Sequence, residues 1–481
     1  MKTSVSKGTF YLLVAQVIFL AAGYATHIAL GRIMGPELYG VWGVVLGLMS
    51  IVTLIPTAGI PIAVSKFISS DEKRAGSILK ESLKIQLALC TIIFLIYFSS
   101  AGLIANAFSD ERFILYVRLT SVSIFLVGIS SVYSGYLNGV RYFGKQSLVS
   151  IAHSLTKLTA ILLVVVGLGV LGAIFGYLLS YLASLLLVLW FSRLVRGDGK
   201  FEWRKILYFS MPVVAYSVFS NLLPNIDILM IKSLLRNDTL VGYYNSASTI
   251  GKLFYFLVGT LFATLIPAIS ASMAAGNQKK TIKYVTNSIR YSLMLLLPIS
   301  FVVSATASDL VSFVYSSAFA PAGEPLSIFI FGISFFTLLG GLANMLIAAG
   351  KPKRCMLILG LVCLLSLVLN FLLIPLMGIR GAALASTVST FVGVVVASYY
   401  VVGEFGCLIS VKSLARISLA SLFIYLLSLY IVLTNNLLLP LEYAFLFGLY
   451  FVILIIIREW REEDFEIIRK LIPKGFGIDI F

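Results

Sequence analysis

Gly169-Val170-Leu171-Gly172-Ala173 and Gly378-Ile379-Arg380-Gly381-Ala382 carry the same signal, Gly-x-x-Gly-Ala, 209 residues apart. Each opens an apolar stretch, and each follows another apolar stretch that is preceded by a loop bearing Gly and Lys. That loop is Asn138-Gly139-Val140-Arg141-Tyr142-Phe143-Gly144-Lys145 in the first case and Ala349-Gly350-Lys351-Pro352-Lys353 in the second. A fainter match links Leu38-Tyr39-Gly40 to Leu240-Val241-Gly242-Tyr243, and Leu54-Ile55-Pro56 to Leu265-Ile266-Pro267. Small residues at such spacings also serve helix packing in membranes, but the shared position of each copy within its half points to a duplicated unit.

The unit is made of membrane spans. Fourteen apolar stretches cover residues 8–31, 39–65, 85–107, 114–137, 148–168, 170–192, 207–231, 241–268, 290–314, 326–349, 355–376, 380–402, 414–434 and 437–457. Each is long enough to cross a hydrocarbon layer of ~30 Å at ~1.5 Å per helical residue. Six spans fall in residues 1–200 and six in 201–412. Because six is even, both copies enter from the same face and are related by an axis along the membrane normal. The expected fold is an all-α integral membrane protein with 14 transmembrane helices: two parallel-repeat six-helix lobes and two extra C-terminal helices in 413–457. Residues 458–481, with 5 basic and 6 acidic residues around Phe465, Ile467, Ile468, Leu471 and Ile472, read as a cytoplasmic amphipathic tail broken at Pro473.

The basic residues orient this array. With the N-terminus inside, 29 of the 36 lysines and arginines fall in cytoplasmic segments or just inside the spans beside them, Lys157 among them. Six lie on the other face (Arg32, Arg112, Arg118, Lys232, Arg236, Arg380), and Lys252 sits inside a span. Positive residues resist translocation, so a multi-pass protein of the cytoplasmic membrane with both termini cytoplasmic is expected.

Composition excludes several classes. A chain that is 60% hydrophobic and 12% charged is no ordinary soluble domain. The net charge of +16 is spread over short loops, which favours anionic membrane lipids over nucleic acid as counter-charge. The first apolar stretch is too long for a signal peptide. Four cysteines (Cys90, Cys355, Cys363, Cys407) lack metal spacing and read as packing residues. Loops are too short to hold a catalytic domain. There is no GxSxG, no phosphate loop and no pair of carboxylates within a span, so no enzyme is expected. No cofactor is expected beyond a coupling ion, Na⁺ or H⁺.

A charge in hydrocarbon marks a site unless it is paired. Lys252, eleven residues into its span, and Asp227, within Asn221-Leu222-Leu223-Pro224-Asn225-Ile226-Asp227, are the candidates in the second half. They either pair or leave Lys252 free to attract an anion in a wet cavity, which Pro224 would help to line. In the first half Gln16 and His27 stand in the first span, Arg32 closes it, and Lys66 ends the second as an inside anchor. His153, Asn287, Asn344 and Asn370 read as interhelical hydrogen bonders.

The run Ala29-Leu30-Gly31-Arg32-Ile33-Met34-Gly35-Pro36-Glu37-Leu38-Tyr39-Gly40, with Gly59-Ile60-Pro61-Ile62-Ala63-Val64-Ser65-Lys66, Asp227-Ile228-Leu229-Met230-Ile231 and Val241-Gly242-Tyr243-Tyr244-Asn245-Ser246-Ala247, resembles the polysaccharide transporter family. This family includes the O-antigen flippases and stage V sporulation protein B, within the multidrug, oligosaccharidyl-lipid and polysaccharide flippase superfamily. The resemblance spans nearly the whole chain. It implies a V-shaped cavity lined by spans 1, 2, 7 and 8, and translocation of polyprenyl-diphosphate-linked oligosaccharide, a precursor of cell-surface polysaccharide, by alternating access. The positions matching the family's pyrophosphate-binding cations are Lys252 and Arg32. The arginines that lipid II-flipping relatives carry within spans 1 and 2 are absent, with Gln16 and His27 there instead, a departure that counts against lipid II, which stands as an alternative cargo. A multidrug or cation antiporter of the same superfamily is the second reading and a membrane glycosyltransferase or polymerase the third. Expected partners are the lipid-linked glycan, membrane lipids and glycan-assembly machinery, around a monomer.

Overall fold

The computed structural model describes residues 5–192, 201–431, 435–460 and 464. Among them the secondary structure is helical throughout. Eleven continuous helical stretches are long and apolar enough to cross a membrane by length and composition, and the chain is a multi-pass membrane protein. Large apolar side chains such as Leu103, Val166 and Leu376 stand exposed on the outside of the bundle, as lipid-facing positions do. The amphipathic-tail expectation for 458–481 lies, apart from residues 458–460 and 464, outside the described residues.

Helix α1 runs from Val5 to Ser70 and bends where Gly35 takes φ 70°, ψ 176° ahead of Pro36. That backbone region is open to glycine almost alone, and proline supplies no N–H to carry a helix across. The break divides α1 into an arm of residues 5–34 and an arm of residues 36–70. Residues 66–84, between the second and third apolar stretches, are themselves largely helical. A short turn at Glu72–Arg74 separates α1 from α2 (Ala75–Ser99), which leads to α3 (Ala101–Phe108) and α4 (Arg112–Gly139). Next come α5 (Phe143–Lys157), α6 (Thr159–Leu163), a π-type turn at Val164–Leu168, and α7 (Gly169–Phe191). The second half holds α8 (Trp203–Leu235), α9 (Asp238–Ala274), α10 (Gln278–Ala305), α11 (Ala307–Val314), α12 (Gly323–Ala348), α13 (Pro352–Met377) and α14 (Ile379–Phe405). The last two helices are α15 (Val411–Tyr430) and α16 (Leu439–Ile456).

The Gly-x-x-Gly-Ala copies form the same joint twice. Gly169 has φ 52°, ψ −132° and Gly378 has φ 59°, ψ −138°. Three residues on, Gly172 presses on the Leu163 backbone and Gly381 on that of Leu373, leaving no room for a Cβ at either. The duplicated glycines therefore set the tight turn between consecutive helices and their close packing. α2, α4 and α5 pack on α1, with α7 on α4 and α5; α9, α10 and α14 pack on α12, and α13 on α8 and α14. The two sets meet mainly where α1 touches α8 and α9.

Candidate functional site

Both arms of α1, with α5, α7, α8 and α9, enclose a cavity of about 290 Å³. Lys157 and Lys252 both line it, one from each half of the chain. Lys157 is the last residue of α5, at a break before α6, where the carbonyl end of the helix favours a cation. Its side chain is 8% exposed, and its Nζ lies 4.8 Å from the Tyr177 ring centre and 5.5 Å from that of Phe19. Lys252 is partly exposed to the cavity. Neither lysine has an ion pair or hydrogen bond among the described residues. Tyr24, Ser50, Thr53, Asn225, Asn245 and Thr249 supply neutral polar groups, and among the described residues no carboxylate lines the space.

His27 also lines the cavity, within electrostatic reach of both lysines. Its Nδ1 lies 3.1 Å from the Tyr39 hydroxyl, which is 3.1 Å from that of Tyr315. A chain of hydroxyls thus leads from the cavity to a contact between α1 and the end of α11.

The sequence candidates fall into different places. Lys252, His27 and Asn225 line the cavity, and Asn225 Nδ2 donates to the Asn221 carbonyl at 2.9 Å. Asn221 is exposed, with Nδ2 on the Ser217 carbonyl. Gln16 is exposed on the first arm of α1, away from the cavity walls. Arg32 reaches across to the carbonyls of Phe313 (2.7 Å) and Val314 (2.9 Å), where it holds the last turn of α11. Lys66 lines a separate cavity and lies 3.9 Å from the Phe209 ring centre.

Asp227 is buried behind the cavity wall, enclosed by neutral donors. Tyr244 Oη donates at 2.6 Å, Asn370 Nδ2 at 2.9 Å and Ser386 Oγ at 2.5 Å. Of the two arrangements open in the sequence, a direct Asp227–Lys252 ion pair is not formed: three hydrogen bonds hold the carboxylate and Lys252 faces the cavity, although the two charges stay within electrostatic reach of each other. Asn370, expected as an interhelical hydrogen bonder, ties α13 to α8 in this cage, and its Oδ1 is buried without a partner. Lys157 is the residue that sequence reasoning passed over by grouping it with inside loops. The signal was available, since Lys157 falls near the middle of the stretch 148–168.

At one end of the bundle the two halves are clamped together. Asp110, between α3 and α4, accepts from Arg112 (2.7 and 2.9 Å) and Lys232 (3.0 Å), while Asp238 accepts from Lys232 (2.5 Å) and Arg112 (2.7 Å). Burial pushes the Asp110 carboxyl up, but hydrogen bonds and charge from Arg112 and Lys232 outweigh it and hold the group at about 2.

Comparison with known proteins gives the family and the fold. The family model described as polysaccharide biosynthesis protein matches residues 5–273, and the MatE model matches 212–372. An uncharacterized membrane protein of Methanocaldococcus jannaschii, MJ1375, is 22% identical over 84% of this chain and 98% of its own length. Stage V sporulation protein B of Bacillus subtilis is 22% identical over 80% of this chain and 81% of its own. The B. subtilis lipid II flippase MurJ is 22% identical over 80% of each. Among solved structures, a lipid II flippase MurJ in an inward closed conformation superposes with a TM-score of 0.77 at 16% identity, covering 93% of this chain and 98% of that one. An inward-facing MATE multidrug transporter gives 0.62, covering 84% and 96%. With residues 5–273, more than half of the chain, matched by one family model, the chain belongs to the polysaccharide biosynthesis protein family.

Proposed function

We propose that this protein moves a polyprenyl-diphosphate-linked oligosaccharide from the cytoplasmic to the outer leaflet of the cytoplasmic membrane, and that Lys157 and Lys252 together hold the diphosphate. The observation that carries the reading is a cavity between the halves with two lysines, one from each half, and no carboxylate. A charge at the membrane centre costs ~2.5–3.5 kcal/mol on insertion scales. Two unpaired ammonium groups sharing one space are retained against that cost and their mutual repulsion when an anion joins them. A diphosphate offers acceptors to both, and charge-assisted hydrogen bonds to it are about twice as strong as neutral ones.

Fourteen crossings arranged as two six-helix lobes with two further helices, and both termini cytoplasmic, suit this task. The lobes rock about the α1–α8–α9 contacts, the polar head passes through the cleft, and the polyprenyl tail stays in lipid. The protein then works as a transporter, without bond-making chemistry, as a monomer beside the glycan-assembly machinery. The coupling ion, Na⁺ or H⁺, acts at Asp227, where the carboxylate and the free Asn370 Oδ1 offer oxygens. A multidrug antiporter is disfavoured because a cationic drug would meet two lysines and no acid in the cavity.

Reconstitution in liposomes tests the proposal. The parent chain should flip a fluorescent polyprenyl-diphosphate glycan, and Lys157→Gln or Lys252→Gln should each slow flipping about tenfold or more, the loss expected for a charged hydrogen bond of ~1.5–3 kcal/mol. Transport of an organic cation without movement of any lipid-linked glycan overturns the proposal. Movement of lipid II in preference to other glycans assigns the cargo to peptidoglycan.

A further inference from the structure

A second cavity, of about 580 Å³, lies wholly against the first half of the chain, between the second arm of α1 and helices α4, α5 and α7. Its walls differ in chemistry from those of the lysine cavity. On α4, Ser130, Ser131, Ser134, Gly135 and Asn138 fall at helical spacings of three and four and so share one face. Thr57 and Ser65 of α1 and Ser184 of α7 face them. Some of these hydroxyls are used internally: Ser131 donates to the Gly128 and Pro56 carbonyls, and Ser130 pairs with Ser184 at 3.1 Å. Ser65 and Ser134 have no partner among the described residues. Asn138 Oδ1 and His153 Nδ1 are buried with none.

Polar atoms left unmatched in a membrane span cost ~1–3 kcal/mol each. Their gathering around one cavity, with exposed Lys66 as the only lysine among the described residues that line it, points to an uncharged ligand with many hydroxyls. The two cavities share a wall. Tyr181 lines both, and the His153 ring stacks on it with centres 5.2 Å apart and planes at 13°, while Phe19 of the lysine cavity also stacks on His153 at 6.2 Å.

Resting on the flippase reading above, we propose that the hydroxyl-lined cavity binds the first neutral sugars of the lipid-linked head while Lys157 and Lys252 hold its diphosphate. A ligand running from one space to the other passes the Phe19–His153–Tyr181 stack, whose aromatic faces suit the apolar faces of sugar rings. The volume falls within the ~300–1,000 Å³ usual for small-ligand pockets.

The test measures affinity of the full chain in detergent for two probes, bare polyprenyl diphosphate and the same lipid carrying a neutral disaccharide. The parent should prefer the glycosylated lipid by about tenfold, the yield of one or two added hydrogen bonds. In the joint Ser134→Ala, Asn138→Ala variant, checked for an unchanged unfolding temperature, that margin should vanish while both lipids still bind. A measurement on the parent alone guards against a misfolded variant: a disaccharide lipid with methylated hydroxyls should bind no better than bare diphosphate. If the parent binds both probes equally, or the variant keeps the margin, the sugar site is overturned and the flippase reading stands. If the parent binds neither probe, the flippase reading is overturned and this site with it.

Discussion

Gly40 and Gly242 meet backbone to backbone where α1 crosses α9, and the contact is reciprocal: the Asp238 carbonyl fills the place of a Cβ on Gly40, and the Pro36 carbonyl that of a Cβ on Gly242. Asp238 and Pro36 stand at equivalent offsets from the two glycines, each on the preceding turn of its own helix, so the contact is symmetric. Backbone approach this close needs glycine on both sides.

Alanine at either glycine should therefore push the halves apart at this end. Gly242→Ala is expected to cost ~1–3 kcal/mol, the usual range for overpacking, and to lower the unfolding temperature. Since one crossing carries both contacts, the double variant with Gly40→Ala should lose less than the sum of the two single losses. Additive losses would show that the glycines act independently.

The charged clamp beside this crossing should respond to acid. The Asp110 carboxyl is depressed from an ordinary 3.8 to about 2, so the stability it contributes is fully present above about pH 4 and disappears as pH falls towards 2. The midpoint of thermal unfolding should drop through that window, and Asp110→Asn should flatten the drop. Equal acid sensitivity in the variant would place the titrating group elsewhere.

Lys232 and Arg112 share the same two carboxylates but differ in exposure, 3% against 46% for their side chains. Removing Lys232 leaves buried acids short of a partner, and Lys232→Met should cost ~3–5 kcal/mol. Arg112→Met should cost far less, because water screens an exposed pair. Denaturant titration of both variants checks the order.

Much of the architecture was legible in the sequence because a membrane imposes simple rules. Apolar run length and the repeated Gly-x-x-Gly-Ala located the helices and their tight joints. Other features depend on partners far away in the chain. Asp227 is satisfied by Asn370 and Ser386, 143 and 159 residues distant, and Arg32 by carbonyls some 280 residues on, partners that no local pattern reveals. Lys157 was obscured for a different reason. Counting basic residues by loop assigns a lysine to the inside as readily when it sits mid-span as when it anchors the interface. The hydroxyl face of α4 was readable as a helical pattern, but serine is so common in membrane packing that only the cavity opposite it gives the pattern meaning.

The central claim is that Lys157 and Lys252 converge on one diphosphate. Its most direct test is the affinity of bare polyprenyl diphosphate for the parent, each lysine-to-glutamine variant and the pair, measured at several salt concentrations. The account predicts that each single change weakens binding about tenfold or more, that the effects are coupled, and that added salt weakens the parent most. Binding that is unchanged in the double variant would contradict it.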